Sequence, residues 1–180
     1  MALHPRHLIR HAVKTALLNR TIAEERVQAT RFVPWRPKDL PAIAIYTLAE
    51  AVDPASDDTA PRRLTRRLQV GIEAAMVADE QIDDALDAIA EEIELVMHRD
   101  VTLGGTASDS LLEGSDITVI ENGDQPIGVV RLTYGIEYYT DVVVEGSGLD
   151  DLKTVDVHHD LEHRQEPADQ AHDIVTDLDQ

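Results

Sequence analysis

The sequence predicts an α+β fold: a mixed, largely antiparallel sheet with helices packed on one side, and an extended acidic C-terminal arm. Three observations predict it. Apolar residues recur at helical spacing in two segments, 5–19 and 79–98. Runs at 42–48, 64–76, 117–120 and 127–140 have instead the period or the continuous apolar character of strands. Beyond Gly146-Ser147-Gly148 the chain is acidic, with Leu and Val only singly. The 180 residues suffice for one domain with a real core, assigned to 1–141, and a C-terminal extension over 142–180.

The first helix opens at Pro5, which suits a first turn because its missing N–H has no intrahelical partner there. Leu8, Ile9, Ala12, Val13, Ala16 and Leu17 form one apolar stripe, and Arg6, His7, Arg10, His11 and Lys14 cover the rest. The stripe has no aromatic anchors, so it reads as a helix packed on its own domain and not as a membrane-surface helix. Pro34-Trp35-Arg36-Pro37 breaks regular structure, and Trp35 between its prolines reads as a local core plug. From Ala42 to Leu48 the run is apolar or β-prone on both faces, as in a strand covered on both sides. Residues 51–61 have the composition of a loop.

The next strand alternates. Leu64, Arg66, Leu68, Val70, Ile72, Ala74 and Met76 point one way, and Thr65, Arg67, Gln69, Gly71 and Glu73 the other. Over 79–98 the stripe is Ile82, Leu86, Ile89, Ile93, Val96 and Met97, with Asp79 the expected N-cap. The acids Asp83, Asp84, Asp87, Glu91, Glu92 and Glu94 read as a solvated face that also suits the helix dipole. Gly104-Gly105 and Gly114 mark an irregular stretch. A short strand at 117–120, the turn Glu121-Asn122-Gly123-Asp124 and a return strand over 127–140 make a hairpin. In the return strand Val130, Leu132, Tyr134, Ile136 and Tyr138 face the core.

Charge and composition narrow the function classes. The formal net charge is −19, which disfavours non-specific binding to nucleic acid or acidic membranes. Its distribution is uneven: residues 1–38 carry eight Lys or Arg against Glu24 and Glu25, whereas 142–180 carry eleven acids against Lys153 and Arg164. No apolar run approaches the roughly 20 residues a bilayer requires, and no signal-peptide core stands at the N-terminus. The absence of cysteine excludes disulfides, thiolate metal sites and Cys nucleophiles, and a cytosolic or particle-bound protein fits.

Catalytic signatures are not found. There is no P-loop, GxGxxG, GxSxG or HExxH, and six scattered aromatics make no stacking platform. No cofactor and no enzymatic activity are expected. His158, His159 and His163 form the one metal-like cluster, because His159 and His163 would share a face of a helix. It lies outside the predicted core without a second pair of ligands, so it reads as an adventitious or pH-sensitive patch. Arg62, Arg63, Arg66 and Arg67 make a positive patch at a loop-to-strand junction. They have three readings: ion pairs with the protein's own acids, a dock for an acidic neighbour, or a contact with nucleic acid.

The run Leu40-Pro41-Ala42-Ile43-Ala44-Ile45-Tyr46, an Asp-rich loop, the alternating strand 64–76, the acidic helix ending in Val96-Met97 and the strand 127–139 follow one another in a characteristic order. With the basic helix before them, they resemble the tail-terminator family of long-tailed bacteriophages, the minor tail protein U type, over residues 5–141. The resemblance implies a homohexameric ring on the head-proximal end of the tail tube, assembled in the host cytoplasm. Such a ring stops tube polymerisation and presents a joining surface to the head-completion protein. The implied partners are other copies, the major tail tube protein and a neck protein, with DNA only passing through an acidic lumen. Candidate contact residues are Arg62, Arg63, Asp57, Asp58, Asn122 and Asp124, in the irregular regions 51–63 and 104–126, with Arg66 and Arg67 at the start of the adjoining strand. The extension 142–180 is expected to wrap a neighbouring subunit or neck protein. The competing readings are a head-completion or neck adaptor, a metal-dependent enzyme built on the three histidines, and a bacterial regulatory or adaptor domain.

Overall fold

A computed structural model describes residues 3–53, 62–121 and 125–142, together with the backbone of 154–159 and 171–176. The chain divides into two compact units, residues 1–142 and 143–180. In the first, elements run α1 (Pro5–Leu17), β1 (Val27–Ala29), β2 (Ala42–Asp53), β3 (Arg63–Val77), α2 (Ile82–Arg99), β4 (Asp109–Ile120) and β5 (Ile127–Asp141). The five strands form one sheet in the order β1-β2-β3-β5-β4, parallel only between β1 and β2. This is the predicted α+β architecture.

Both helices pack on the same face of that sheet. α1 buries Ile9, Val13 and Leu17, and α2 buries Leu86, Ile89, Ile93, Val96 and Met97, at the spacing the sequence shows. Beneath them the register stacks Ile43 on Ala74 on Val130, Ile45 on Ile72 on Leu132, and Val70 on Tyr134, all within one buried cluster. Each fully buried Ile or Leu contributes about 1.5–3 kcal/mol on removal from water. The opposite face is polar over most of its area. One end of it is covered by Trp35 and Leu40, which pack on Ala75, Ile127 and Val129; Trp35 is the plug that its flanking prolines suggested.

Several boundaries differ from expectation. Residues 51–53 are strand, because β2 continues past a bulge at Leu48 to pair Ala51 with Arg67, Val52 with Arg66 and Asp53 with Thr65. β4 is twelve residues long, three times the expected strand. Its polar first half, including Gly114, is templated by β5 across a bulge at Glu113. The N-cap of α2 is Gln81 and not Asp79; the Asp79 carboxylate instead accepts the Gln81 N–H at 2.9 Å, a turn that leads into the helix. α1 stops at Leu17, two residues early, where Leu18 turns extended and Asn19 takes a positive φ. Strand β1 was not foreseen, since three residues give no period.

In the second unit, β6 (Thr154–His159) and β7 (Ala171–Thr176) pair antiparallel, with His158 opposite His172. The helical spacing that would bring His159 and His163 together therefore does not apply, since His159 ends a strand; His163 lies outside the described residues.

Candidate interaction surfaces

The arginine junction lies where β3 begins, and alternation along the strand divides it between the two sheet faces. Arg66 falls on the helix face. Its guanidinium donates to Glu50 at 3.0 Å and to the Thr140 hydroxyl at 2.8 Å. Arg67 points to the open face and donates through two nitrogens to Glu113, at 3.0 and 2.7 Å, while Gln69 donates to the other oxygen of Glu113 at 2.9 Å. Arg63, on the same face, stands 3.8 Å from Asp141 and 4.8 Å from the centre of the Tyr139 ring. Arg62 is exposed, and its carbonyl accepts the Val142 N–H at 2.7 Å. Asp57, Asp58, Asn122 and Asp124 lie outside the described residues, as do the centres of the two loops that hold them.

Glu50 is the hub of a network that composition could not show, because the bulge at Leu48 turns it onto the helix face. Its carboxylate accepts from Arg66 and from the Tyr138 hydroxyl, and Arg6 of α1 approaches to 3.9 Å. Burial alone pushes this carboxyl up, but the Tyr138 hydrogen bond and the charges of Arg6 and Arg66 outweigh it and hold it below the usual carboxylate range. Burial and the same hydrogen bond push the Tyr138 phenol up to about 12. A second tie, from Arg10 to the Thr47 hydroxyl at 3.1 Å, holds α1 to β2.

β4 ends the sheet, so the outward row of its N–H and C=O groups has no strand partner within the described residues. Leu111, Ile117, Val119 and Ile120 are all exposed along it. The acidic face of α2 is largely solvated, as expected. Glu92 is half-buried and accepts the Ile22 N–H at 2.7 Å, which anchors the turn after α1.

At the opposite end of the sheet a cleft of about 430 Å³ opens between β1 and the segment before β2. Arg26, Arg31, Arg36 and Trp35 line it, with Asp39 the one acid in its wall. The Arg31 guanidinium lies 3.4 Å from the centre of the Trp35 ring and is hydrogen-bonded to Tyr46. Arg26 donates to the Pro41 carbonyl at 2.7 Å. Beside the cleft, Phe32 is 94% exposed. Sequence reasoning singled out only the break at Pro34-Trp35-Arg36-Pro37 here, although Arg31, Phe32, Trp35 and Arg36 together were a visible signal. Among the described residues no group of three His, Asp or Glu side chains is placed to hold a metal ion, and no helix is long and apolar enough to cross a membrane.

No protein-family model matches the chain, and no curated protein matches it. Among solved structures the chain is similar to one from the "Virion of native gene transfer agent (GTA) particle", with a TM-score of 0.41 and 14% identity over 76% of this chain and 100% of that one.

Proposed function

We propose that this chain is a structural virion protein of the tail-terminator kind. Copies meet side by side in a hexameric ring on the head-proximal end of a tail tube, stop tube growth and present a joining surface to the neck. The observation that carries this reading is strand β4: twelve residues at a sheet edge that is open among the described residues, with four large apolar side chains exposed. A long edge of that kind is a liability in a free monomer and an asset in a protein whose work is assembly. The order of elements along residues 5–141 supports the same assignment. Complementary surfaces do here what catalytic groups do in an enzyme.

The polar face of the sheet and the junction at Arg62 and Arg63 suit contacts with tube or neck. Both arginines are exposed, although Arg63 also stands beside Asp141 and Tyr139, and exposed charge of this kind suits steering and register. The net charge of −19 suits a lumen through which DNA passes without sticking.

The test is an image of the intact particle with this chain traced in density. A ring of this chain between tube and neck is the expected result; its absence from that junction refutes the proposal, and its presence inside the connector favours a head-completion adaptor. Charge reversal at Arg62 and Arg63 should impair tail completion while leaving the far-UV circular dichroism unchanged. Head-competent tails of normal length from that variant would remove these residues from the contact surface.

A further inference from the structure

We infer that the cleft lined by Arg26, Arg31 and Arg36 docks the apolar end of strand β4, with its flanking acids, from a second copy of this chain. The two surfaces stand at opposite edges of one sheet and match in chemistry. On one edge, three guanidiniums share the cleft wall with a single acid, Asp39, and Lys38 is exposed beside it. Phe32 and Val33 stand exposed at the rim. Glu24 and Glu25, before β1, lie outside that wall. On the other edge, Ile117, Val119 and Ile120 are exposed between two exposed acids, Asp116 and Glu121. Arg131, the ladder partner of Asp116, donates to Glu73 instead, at 2.9 Å. An apolar strip between carboxylates thus meets an apolar rim between cations. Charge-assisted bonds can form around it, and aromatic side chains set among arginines are the composition of an interaction hot spot.

The register of the sheet fits the two edges to each other. Gln28 in the cleft wall and Asp116 on β4 are the two ends of one cross-strand row: Gln28, Ala44, Glu73, Arg131, Asp116. Residues of one row lie level and on one face of a sheet. A second row runs from Ala42, also in the cleft wall, through Ala75 and Val129 to Thr118. A neighbour set beside the sheet therefore brings this end of β4 to the cleft with no step along the strands. A heterologous contact without such a step closes into a ring about an axis along the strands, whereas a step makes a helix. β1 and β4 also run in opposite directions, as antiparallel neighbours do. β1 has only three residues, so side chains at the cleft carry most of the contact. Four strand spacings, about 19 Å, separate the edges of one sheet. β4 thus cannot enter its own cleft, and the occupant is another copy. The contact rests on the proposed ring only in that copies meet side by side.

The chain has no cysteine, so single introduced thiols report the contact. Val33→Cys at the cleft and Thr118→Cys on β4, both at exposed positions, are joined by a short bismaleimide in the full-length protein at high concentration. Mixing the two variants should give a mixed dimer about tenfold above the dimer that either gives alone. Both substitutions in one chain should give a ladder that ends in a closed ring. Asp116→Lys with Glu121→Lys in the Thr118→Cys chain should cut the mixed dimer about tenfold with the circular dichroism unchanged. Arg36→Glu with Lys38→Glu in the Val33→Cys chain should then restore it. Dimers of one variant with itself as abundant as the mixed dimer make the contact isologous and overturn the inference. The absence of a mixed dimer overturns it too, as does a mixed dimer that charge reversal leaves unchanged. A ladder that grows without closing leaves this contact standing and retires the proposed ring instead.

Discussion

Replacing Glu50 with alanine removes the acceptor shared by Arg66 and Tyr138 and the carboxylate nearest Arg6. This is not a surface pair, for the side chains of Glu50 and Arg66 are 12% and 23% exposed. An exposed pair contributes about 0–1 kcal/mol, whereas deleting one partner of a desolvated, charge-assisted bond leaves the other unpaired at about 1–3 kcal/mol. Arg66 keeps its bond to Thr140, and Tyr138 loses its acceptor, so the expected loss for Glu50→Ala is about 2–3 kcal/mol. For a domain of this size that lowers the melting temperature by roughly 6–12 °C. Glu50→Gln keeps an acceptor for Tyr138 and should cost about half as much. The pH dependence separates charge from packing. Because the folded carboxyl is held below its ordinary value, its contribution is full above the unfolded value of about 4.3 and is lost as pH falls through the folded value. The gap between wild type and Glu50→Gln should therefore narrow below about pH 4. Urea unfolding across that range measures it. A loss under about 0.5 kcal/mol for Glu50→Ala at neutral pH, or a gap that does not change with pH, refutes the reasoning.

Two glycines in β5 predict unequal costs for one substitution. A Cβ at Gly128 stands 2.5 and 2.7 Å from Ile82 and 3.1 Å from Leu86, so Gly128→Ala pushes the first turn of α2 off the sheet and should cost about 1–3 kcal/mol by urea unfolding. At Gly135 the obstacles are the ends of flexible side chains, Glu113 at 2.3 Å and Arg67 at 2.8 Å. Gly135→Ala should break that ion pair for under about 1 kcal/mol, read in the same assay. Tyr134 is fully buried and its hydroxyl has no hydrogen-bond partner among the described residues. Tyr134→Phe should therefore be neutral or stabilising by up to about 1 kcal/mol; a loss beyond about 1 kcal/mol would mean that the hydroxyl has a partner.

The parts of the fold legible in the sequence are those whose burial is periodic. α2 and β5 each bury one continuous stripe, and every residue of the β5 stripe, from Val130 to Tyr138, is in the core. The parts that stayed hidden are those whose order comes from a neighbour. The first half of β4 reads as loop because Asp109, Ser110, Gly114 and Ser115 have no apolar rhythm, yet pairing with β5 fixes them as strand. The extension of β2 to Asp53 is hidden for the same reason. Among the arginines, composition revealed the patch and alternation its division, but not the partners. Alternation placed Arg66 and Arg67 on opposite faces; only the register shows that their partners are Glu50 and Glu113, a residue displaced by a bulge. The cleft at Arg31 was missed because its members come from segments with no period at all.

The two edges of the sheet differ in a way that bears on assembly. β1 is three residues long, flanked by Arg26, and offers little to pair with. β4 is long, and it is blunted only as far as Asp116, by Asp109, the bulge at Glu113 and Asp116 itself, whereas Ile117 to Ile120 carry no charge. If two copies joined β4 to β4 the contact would be isologous and would stop at a dimer; a ring needs β4 to meet a different surface of the next copy. Ile117→Lys with Val119→Lys tests whether this end of the strand is an assembly surface at all. Both positions are half exposed, at 47% and 51%, and the substitutions should change stability by under about 0.5 kcal/mol. Native mass spectrometry should then show the assembled form of the protein replaced by monomer. Assembly that survives both lysines would mean that copies meet elsewhere, and that the apolar end of β4 faces the tube or the neck.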